Sequence, residues 1–263
     1  MENLINKEDE ITKPLSEKES QEIVIQIEHL KKSFGGNAVL KDINLTVKKG
    51  ENIVVLGKSG TGKSVTIKCI VGLIVPDEGK LIVLGKDLME MNDQELDEIR
   101  MRIGFLFQSA ALYDSMSVRE NLKFPLARQN RKSSLEELDA KALEALENVG
   151  LAEAIDMMPA ELSGGMKKRV GLARTLILKP EIMLYDEPTT GLDPITSREI
   201  SELILEVQKK YKTSSIIITH DIACAKIVAN RILILKDGEY ITEGTFEELE
   251  KSEDEFIRSF FKK

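Results

Sequence analysis

Short apolar runs rich in β-branched residues follow a polar opening segment. These runs lie at 23–27, 43–47 and 53–56. The first two are separated by Gly35-Gly36 and the last two by the polar segment KKGE, and both separators are turn signals. The pattern predicts three strands, followed by a helix over VTIKCIVGL. Residues 1–20 are polar and nearly free of aromatic residues, which predicts a flexible tail.

The middle of the chain changes to helical spacing. In SSLEELDAKALEALENVGL, Ser134 and Glu137 form a capping-box pattern, and Gly150 suits the exit from a helix. The apolar positions between them are Leu135, Leu138, Ala142, Ala145, Leu146 and Val149. This stretch predicts a helical lobe, inserted at about 108–175.

Continuous apolar runs return in the second half of the chain. EIMLYDE and SSIIITH are typical of strands buried on both faces of a parallel sheet. RILILKDGEYITEG predicts a hairpin that turns at Asp237-Gly238. The expected architecture is an α/β core over residues 21–263, with an antiparallel β subdomain, the inserted helical subdomain and a helical extension over 245–263.

Charge and composition narrow the class of protein. The 263 residues carry a formal net charge of -8, which argues against nucleic-acid binding because that function needs a basic face. The triplet Lys167, Lys168 and Arg169 is interpreted as a solvated helix face. Cys69 and Cys224 are expected to be buried in a reducing compartment. With no signal-peptide pattern and no apolar run long enough to cross a bilayer, the chain is predicted to be cytoplasmic.

The segment GKSGTGKS matches the phosphate-loop pattern GxxxxGK[ST]. It follows the apolar run NIVVL and precedes a predicted helix, which is the context that phosphate binding requires. Backbone N–H groups of the loop and the helix dipole would surround the phosphates, Lys63 would reach their oxygens and Ser64 would hold Mg²⁺. The predicted nucleotide-binding residues here are Gly57, Lys58, Ser59, Gly60, Thr61, Gly62, Lys63 and Ser64. The segment predicts binding of a nucleoside triphosphate such as ATP.

Two adjacent carboxylates end the run IMLY. An acidic pair in this place also fits a strand that has merely reached solvent. With a phosphate loop upstream, Asp186 is predicted to lie beside the metal and Glu187 to orient or polarise the attacking water. The fixed backbone angle of Pro188 would turn the chain here, so that Asp186 and Glu187 can take separate roles.

A glycine pair in LSGGM at 162–166 fits, by itself, a tight turn that caps a helix. Together with GKSGTGKS, Gln108 in LFQSA, IMLYDE, GLDP at 191–194 and ITH, it completes a set of motifs that resembles the ATP-binding-cassette (ABC) ATPases over about residues 22–245. The resemblance implies two copies packed head to tail, each covering the ATP of the other. Ser163, Gly164 and Gly165 would then contact the γ-phosphate bound by the neighbouring copy.

Four other residues receive roles from the same resemblance. Phe34 would stack on adenine, although an ordinary core phenylalanine is the alternative. Gln108 would contact the metal and the water, and Asp193 would brace the dimer interface. His220 would contact the γ-phosphate and hold Glu187 and water in register, and the alternative is a histidine that simply ends a strand.

The chain departs from the common motifs at three positions. Met166 stands where many members have glutamine, which puts one polar interface contact in doubt. Lys58 and Val65 are also unusual in the phosphate loop. Neither removes a phosphate ligand, because backbone groups, Lys63 and Ser64 do that work.

Several segments resemble one branch of the family, the ATPase subunit of MCE/Mla-type phospholipid transporters. They are SGTGKS, IGFLFQSAALYDSMSVRENLKFPL, ELSGGMKKRVGLAR and LYDEPTTGLDPI. The branch implies an apolar patch that meets a membrane subunit, formed by Ala110, Ala111, Leu112, Tyr113 and Met116, with Arg119 and Glu120 at its rim. The alternative is that these residues simply pack the helical lobe. Phe256, Ile257, Phe260 and Phe261 suggest a second docking surface.

The resulting hypothesis is an ATPase subunit, peripheral to the cytoplasmic face of a bacterial inner membrane, that energises phospholipid transport as a homodimer. Its expected partners are a second copy, an integral membrane permease, and MCE-domain or accessory subunits, with no nucleic acid. Three alternatives stay open: another cargo such as an amino acid, metal complex or drug; a non-transport ABC factor; and a degenerate cassette. The last is disfavoured because Lys63, Asp186, Glu187 and His220 are all present.

Overall fold

The computed structural model describes residues 22–129 and 133–262. Within these residues, ten strands form one sheet in the order β5-β4-β1-β2-β10-β9-β3-β8-β7-β6. The strands are β1 Ile23–Phe34, β2 Asn37–Lys48, β3 Asn52–Gly57, β4 Glu78–Val83, β5 Lys86–Asp87, β6 Ile103–Leu106, β7 Ile182–Asp186, β8 Ser214–Ile218, β9 Arg231–Lys236 and β10 Glu239–Gly244. The α-helices are α1 Lys63–Ile70, α2 Asp93–Arg100, α3 Val118–Gln129, α4 Leu135–Glu147, α5 Gly164–Leu176, α6 Pro194–Tyr211, α7 Ile222–Val228, α8 Phe246–Glu250 and α9 Glu255–Phe261.

The sheet has an antiparallel part and a parallel part. Strands β5, β4, β1 and β2 pair antiparallel, whereas β9, β3, β8, β7 and β6 pair parallel. Strand β10 joins the two parts, since it pairs antiparallel with β9 and meets β2 in parallel at Glu239 and Asp42. The predicted fold class, an α/β ATPase core with an antiparallel β subdomain, is confirmed.

The parallel strands are buried on both faces. In β3, Ile53 and Val55 enter a core shared with α1 and the antiparallel strands, while Val54 and Leu56 enter a core shared with the helices on the other face. All residues of β7 and β8 are buried as well, so the interpretation of their continuous apolar runs is confirmed. Because β8 lies between β3 and β7, the carboxyl ends of these strands meet at one edge, where ligands bind in such sheets.

The helical lobe contains α3, α4 and α5 and two short 3-10 helices at 152–154 and 159–161. The Ser134 side chain accepts from the N–H of Glu137, whose side chain accepts from the N–H of Ser134, so the predicted capping box is confirmed. Leu138, Ala142, Ala145, Leu146 and Val149 are buried as expected. Leu135 is wrong as a core position, because it lies at the first turn with 72% of its surface exposed.

Other local predictions meet mixed outcomes. The hairpin of β9 and β10 turns at Asp237 and Gly238, both in left-handed backbone conformation. The first strand is longer than its apolar run and continues to Phe34, because its later residues pair with β2 and β4. The first helix begins at Lys63, two residues before the predicted start.

Both cysteines are buried, and burial raises the pKa of each thiol to about 12. The predicted tail at 1–20 lies outside the described residues. In the part of the chain that the structure does describe, no helix combines the length and the apolar character needed to cross a membrane.

The apolar residues near the carboxyl terminus pack on their own chain. Ile257 is buried at 8% exposure, and Phe261 meets Phe246 edge to face with 5.3 Å between ring centroids. Phe256 and Phe260 also pack against the helical core. Helices α8 and α9 thus use these side chains to attach to the rest of the chain, and docking of a partner or the sister subunit on their remaining exposed surface stays a prediction.

Candidate active site

The phosphate loop connects β3 to α1 and folds around its own lysine. Lys63 Nζ donates to the carbonyl oxygens of Gly57 at 2.8 Å and Lys58 at 3.0 Å. Gly62 has a φ of 105°, and a Cβ there would lie 2.7 Å from a Leu40 side-chain carbon, so only glycine fits. Burial lowers the pKa of Lys63, opposed by the negative charges of the two site carboxylates. The phosphate loop is thus wrapped around the ammonium group of Lys63, which binds two of its carbonyl oxygens.

A hydroxyl and a carboxylate form the candidate metal site. Ser64, one residue into α1, donates from Oγ to Asp186 Oδ1 at 2.9 Å. Gln108 follows β6 and lines the same cleft. These are hard oxygen donors, and Mg²⁺ in nucleotide sites is held by few protein ligands, water and phosphate oxygens. The donor set fits Mg²⁺.

Glu187 is strained and held at several points. Its φ is 52°, a left-handed conformation that costs a residue other than glycine about 1–3 kcal/mol. Its N–H donates to the Ile218 carbonyl at 2.9 Å. Its carboxylate Oε2 accepts from Thr190 Oγ1 at 3.0 Å and lies 2.8 Å from His220 Nδ1. These contacts hold the carboxylate at the carboxyl edge of the sheet.

One cleft of about 650 Å³ brings most of the predicted residues together. From the predicted set it is lined by Phe34, Gly57, Ser59, Gly60, Gly62, Lys63, Ser64, Gln108, Asp186, Glu187 and His220. Phe34 has 46% of its surface exposed, so the alternative of an ordinary core phenylalanine is wrong. Lys58 points away instead, with its ammonium 5.5 Å from the centroid of the Phe256 ring, and Thr61 Oγ1 donates to the Lys58 carbonyl at 2.9 Å.

The predicted signature residues lie outside this cleft. Ser163 caps α5 by accepting from the N–H of Met166 at 3.2 Å, and Ser163 and Gly164 are exposed. Gly165 is buried, and a Cβ there would lie 2.5 Å from Thr196 Cγ2. Asp193 caps α6, and hydrogen bonds from Thr196 hold the pKa of its carboxyl below its usual range. Within one chain, the cleft and the signature residues Ser163, Gly164 and Gly165 are therefore at separate places.

Sequence reasoning missed two residues at the site. Thr190 donates to Glu187, and nothing in the sequence singled it out. Lys168 was interpreted as part of a solvated face, but it is 5% exposed and contacts main-chain carbonyls at the site. Its spacing gave a signal, because Lys168 shares a helix face with the buried Gly165 and Leu172.

The predicted membrane-facing patch divides into two groups. Ala110 and Leu112 pack into the lobe, which agrees with the alternative interpretation, whereas Ala111 and Tyr113 are exposed. Tyr113 lies 5.1 Å from Phe124, measured between ring centroids. The two rim residues serve local structure: Arg119 pairs with Asp156 and Asp139, and the Glu120 carboxylate accepts from the N–H of Ser117.

Comparison with known proteins agrees with this geometry. The family model described as ABC transporter matches residues 40–190. The probable ribonucleotide transport ATP-binding protein Mkl of Mycobacterium tuberculosis is 40% identical over 238 residues, which is 90% of this chain and 66% of that protein. This chain thus spans about two thirds of the length of the Mkl relatives.

Two further comparisons cover nearly the whole of the related chain. The intermembrane phospholipid transport system ATP-binding protein MlaF of Haemophilus influenzae is 36% identical over 239 residues, which is 91% of this chain and 90% of MlaF. The dimeric ATP-binding cassette MJ0796, solved with ADP and Pi, superimposes with a TM-score of 0.78 at 34% identity, covering 84% of this chain and 98% of that one. With its phosphate loop, paired carboxylates and signature, this chain belongs to the ABC transporter family as an ATP-binding, ATP-hydrolysing subunit.

Proposed function

We propose that this chain powers phospholipid transport as a head-to-tail homodimer beneath an integral membrane permease, with Mg²⁺ bound beside ATP. The observation that carries the proposal is the separation of two half-sites on one molecule. The cleft gathers Lys63, Asp186 and Glu187, while Ser163 is exposed at the start of α5 outside it. A second copy in head-to-tail orientation would bring that helix start, with its N–H groups, to the γ-phosphate in the cleft.

Each cleft residue has a defined task in the proposed reaction. Phe34 stacks on adenine, and Lys63 leaves the loop carbonyls to bind the β- and γ-phosphate oxygens. Ser64, Asp186 and Gln108 hold Mg²⁺, which when bound neutralises charge on the phosphate oxygens.

The two remaining cleft residues act on water. Glu187 accepts a proton from the attacking water, and a general base of this kind contributes about 10²–10⁴-fold to a rate. His220 contacts the γ-phosphate and, from 2.8 Å, keeps the Glu187 carboxylate in register.

Dimer closure depends on nucleotide in this scheme. Ser163 donates its hydroxyl to the γ-phosphate of the opposite copy, Gly164 and Gly165 allow close approach, and Asp193 braces the interface. Because the γ-phosphate is part of the interface, hydrolysis weakens it and the dimer opens. MJ0796, which superimposes on this chain, was solved as a dimer, and that supports the arrangement.

Phospholipid is the proposed cargo because MlaF is matched over nearly its whole length. The proposed location is the cytoplasmic face of a bacterial inner membrane, with MCE-domain and accessory subunits as further partners. Another cargo is the alternative, since Mkl, at 40% identity, is named for ribonucleotide transport. Purification of the complex from membranes, with mass spectrometry of its subunits and bound lipids, separates the two: copurified phospholipid and an MCE-domain subunit support the first, and a soluble cargo contradicts it.

The catalytic assignment is tested by Glu187→Gln. We expect turnover to fall by about 10²-fold or more, because the general base is lost, while ATP binding persists. With ATP and Mg²⁺ the variant should accumulate as a dimer, measured by light scattering. Glu206→Gln, at an exposed position of α6, is the matched control. Turnover close to that of the unmodified protein would refute the role of Glu187, and a variant that stays monomeric with ATP would refute the shared site.

A further inference from the structure

Lys168 is a buried lysine whose hydrogen-bond partners are main-chain carbonyls. It lies in the first half of α5 with 5% of its surface exposed. Its ammonium donates to the carbonyl oxygen of Gln108 and, at 3.2 Å, to that of Glu187. Burial lowers its pKa, against the opposing charges of Glu187 and Asp186. A cation in such a place needs its hydrogen bonds, because desolvating a charge is costly.

The two carbonyls belong to the two segments that face the γ-phosphate in the proposed site. Gln108 follows β6 and Glu187 follows β7, and these strands are neighbours that pair Leu106 with Tyr185. Glu187 holds its left-handed conformation only because the surroundings fix it. Lys168 supplies the contact to its carbonyl, which restrains the peptide that follows the strained residue.

A second cation of α5 holds the rest of the Gln108 segment. Arg174 donates to the carbonyl oxygens of Ala111 at 2.9 Å and Ala110 at 3.1 Å. Both alanines have positive φ values, 61° for Ala110 and 48° for Ala111, so this segment is strained as well. The segment is therefore attached to α5 at three carbonyls, and Lys168 also connects it to Glu187.

We propose that Lys168 is a positioning residue for ATP hydrolysis, tying the backbones of Gln108 and Glu187 to α5 so that the Glu187 carboxylate is aligned for water attack. The proposal rests on the role of Glu187 proposed above. It also connects two sites, because Ser163 caps the same helix five positions earlier. When the nucleotide of the partner fixes the position of the start of α5, it also fixes the position of Lys168. Through its hydrogen bond, Lys168 then positions the backbone of Glu187 in its own cleft.

The first test separates turnover from binding. Lys168→Met keeps the aliphatic length and removes the charged donor, and we expect kcat to fall by about 10- to 100-fold through misalignment of Glu187. The KM for ATP should stay within about twofold, because Lys168 acts on the attack rather than on nucleotide binding. Lys168→Arg retains a cationic donor and should restore most of the kcat. Lys141→Met, at an exposed position of α4, is the matched control.

The second test is a double-mutant cycle with Glu187→Gln, followed by single-turnover hydrolysis. If Lys168 acts through the Glu187 carboxylate, Lys168→Met should cause no further loss in the Glu187→Gln background. An equal further loss there would overturn the proposal, as would an unchanged kcat in the single variant or a loss of ATP binding. Should Lys168→Met fail to fold in a melting experiment, Lys168→Gln, which keeps a shorter donor, takes its place with the same criteria. If the unmodified protein hydrolyses ATP but the Lys168 variants do not give the expected results, the proposal for Lys168 is refuted and the proposed function is not.

Discussion

The Thr190 hydroxyl offers a direct test of how the Glu187 carboxylate is held. Thr190 Oγ1 donates to Glu187 Oε2 at 3.0 Å, and His220 Nδ1 lies 2.8 Å from the same oxygen. Thr190→Val removes the donor and keeps the branched shape. Among the described residues, the hydrogen-bonding partner that the carboxylate then keeps is a histidine whose side chain is 68% exposed, so its orientation in the cleft becomes less defined.

The size of the effect follows from the kind of hydrogen bond. A hydrogen bond to a charged group contributes about 1.5–3 kcal/mol when it is desolvated. The Glu187 side chain is 15% exposed and Thr190 lines the open cleft, so water replaces part of the lost contact. We therefore expect about 1–1.5 kcal/mol, which corresponds to roughly a 5- to 12-fold decrease in kcat.

Steady-state ATP hydrolysis measures this prediction. The KM for ATP should change little, since the role proposed for Glu187 concerns the attacking water rather than nucleotide binding. Thr190→Ser keeps the hydroxyl and should retain most of the kcat. If Thr190→Val turns over ATP within twofold of the unmodified protein, or if the serine and valine variants are equally impaired, the hydroxyl does not hold the carboxylate.

Three further predictions concern the phosphate loop, the sheet and the buried thiols. Gly62→Ala should weaken ATP binding by about 10-fold or more, measured by nucleotide titration, because its φ of 105° and a close side chain of β2 exclude a Cβ; Gly85→Ala, with similar φ but open space, should bind ATP normally. Arg231→Met should lower the melting temperature, with a cost of about 2 kcal/mol, because Glu51 loses its 2.9 Å partner and keeps the N–H of Lys48; an unchanged melting curve would contradict this. Because burial raises the pKa of both thiols to about 12, alkylation should be absent at pH 8 in folded protein and appear on unfolding, and labelling of native protein at pH 8 would show that the cysteines are accessible. The stability that the two protonated thiols contribute is fully present below about pH 9 and is lost between pH 9 and 12.

Features encoded by consecutive residues could be predicted from the sequence. The phosphate loop, the carboxylate pair after β7 and the capping box of α4 each depend on a local pattern, and the structure has the local elements where the pattern put them. The sheet then brings Lys63 and Asp186 to one edge by a general rule for parallel strands, so their meeting in one cleft could also be predicted.

Contacts between distant segments could not be predicted in the same way. The two carbonyl groups that bind the buried Lys168 lie 60 and 19 positions away from it in the sequence. The charged triplet that contains Lys168 does not indicate these partners. The carboxyl-terminal phenylalanines show the same limit, since an apolar helix face has the same pattern whether it packs on its own chain or on a partner. Phe261 meets Phe246 of α8, a fact of tertiary packing.

One helix explains why the proposed half-sites depend on each other. Ser163 Oγ accepts the N–H of Met166, and its hydroxyl proton stays available to donate to a phosphate oxygen of another copy. Five positions later, Lys168 of the same helix donates to the carbonyl of Glu187 in its own cleft. Because Ser163 caps the helix that contains Lys168, and the two residues are about 7.5 Å apart along its axis, we expect a shift at Ser163 to move Lys168 as well. In the proposed dimer each nucleotide therefore acts on two carboxylates: the Glu187 of its own cleft directly, and that of the opposite copy through α5.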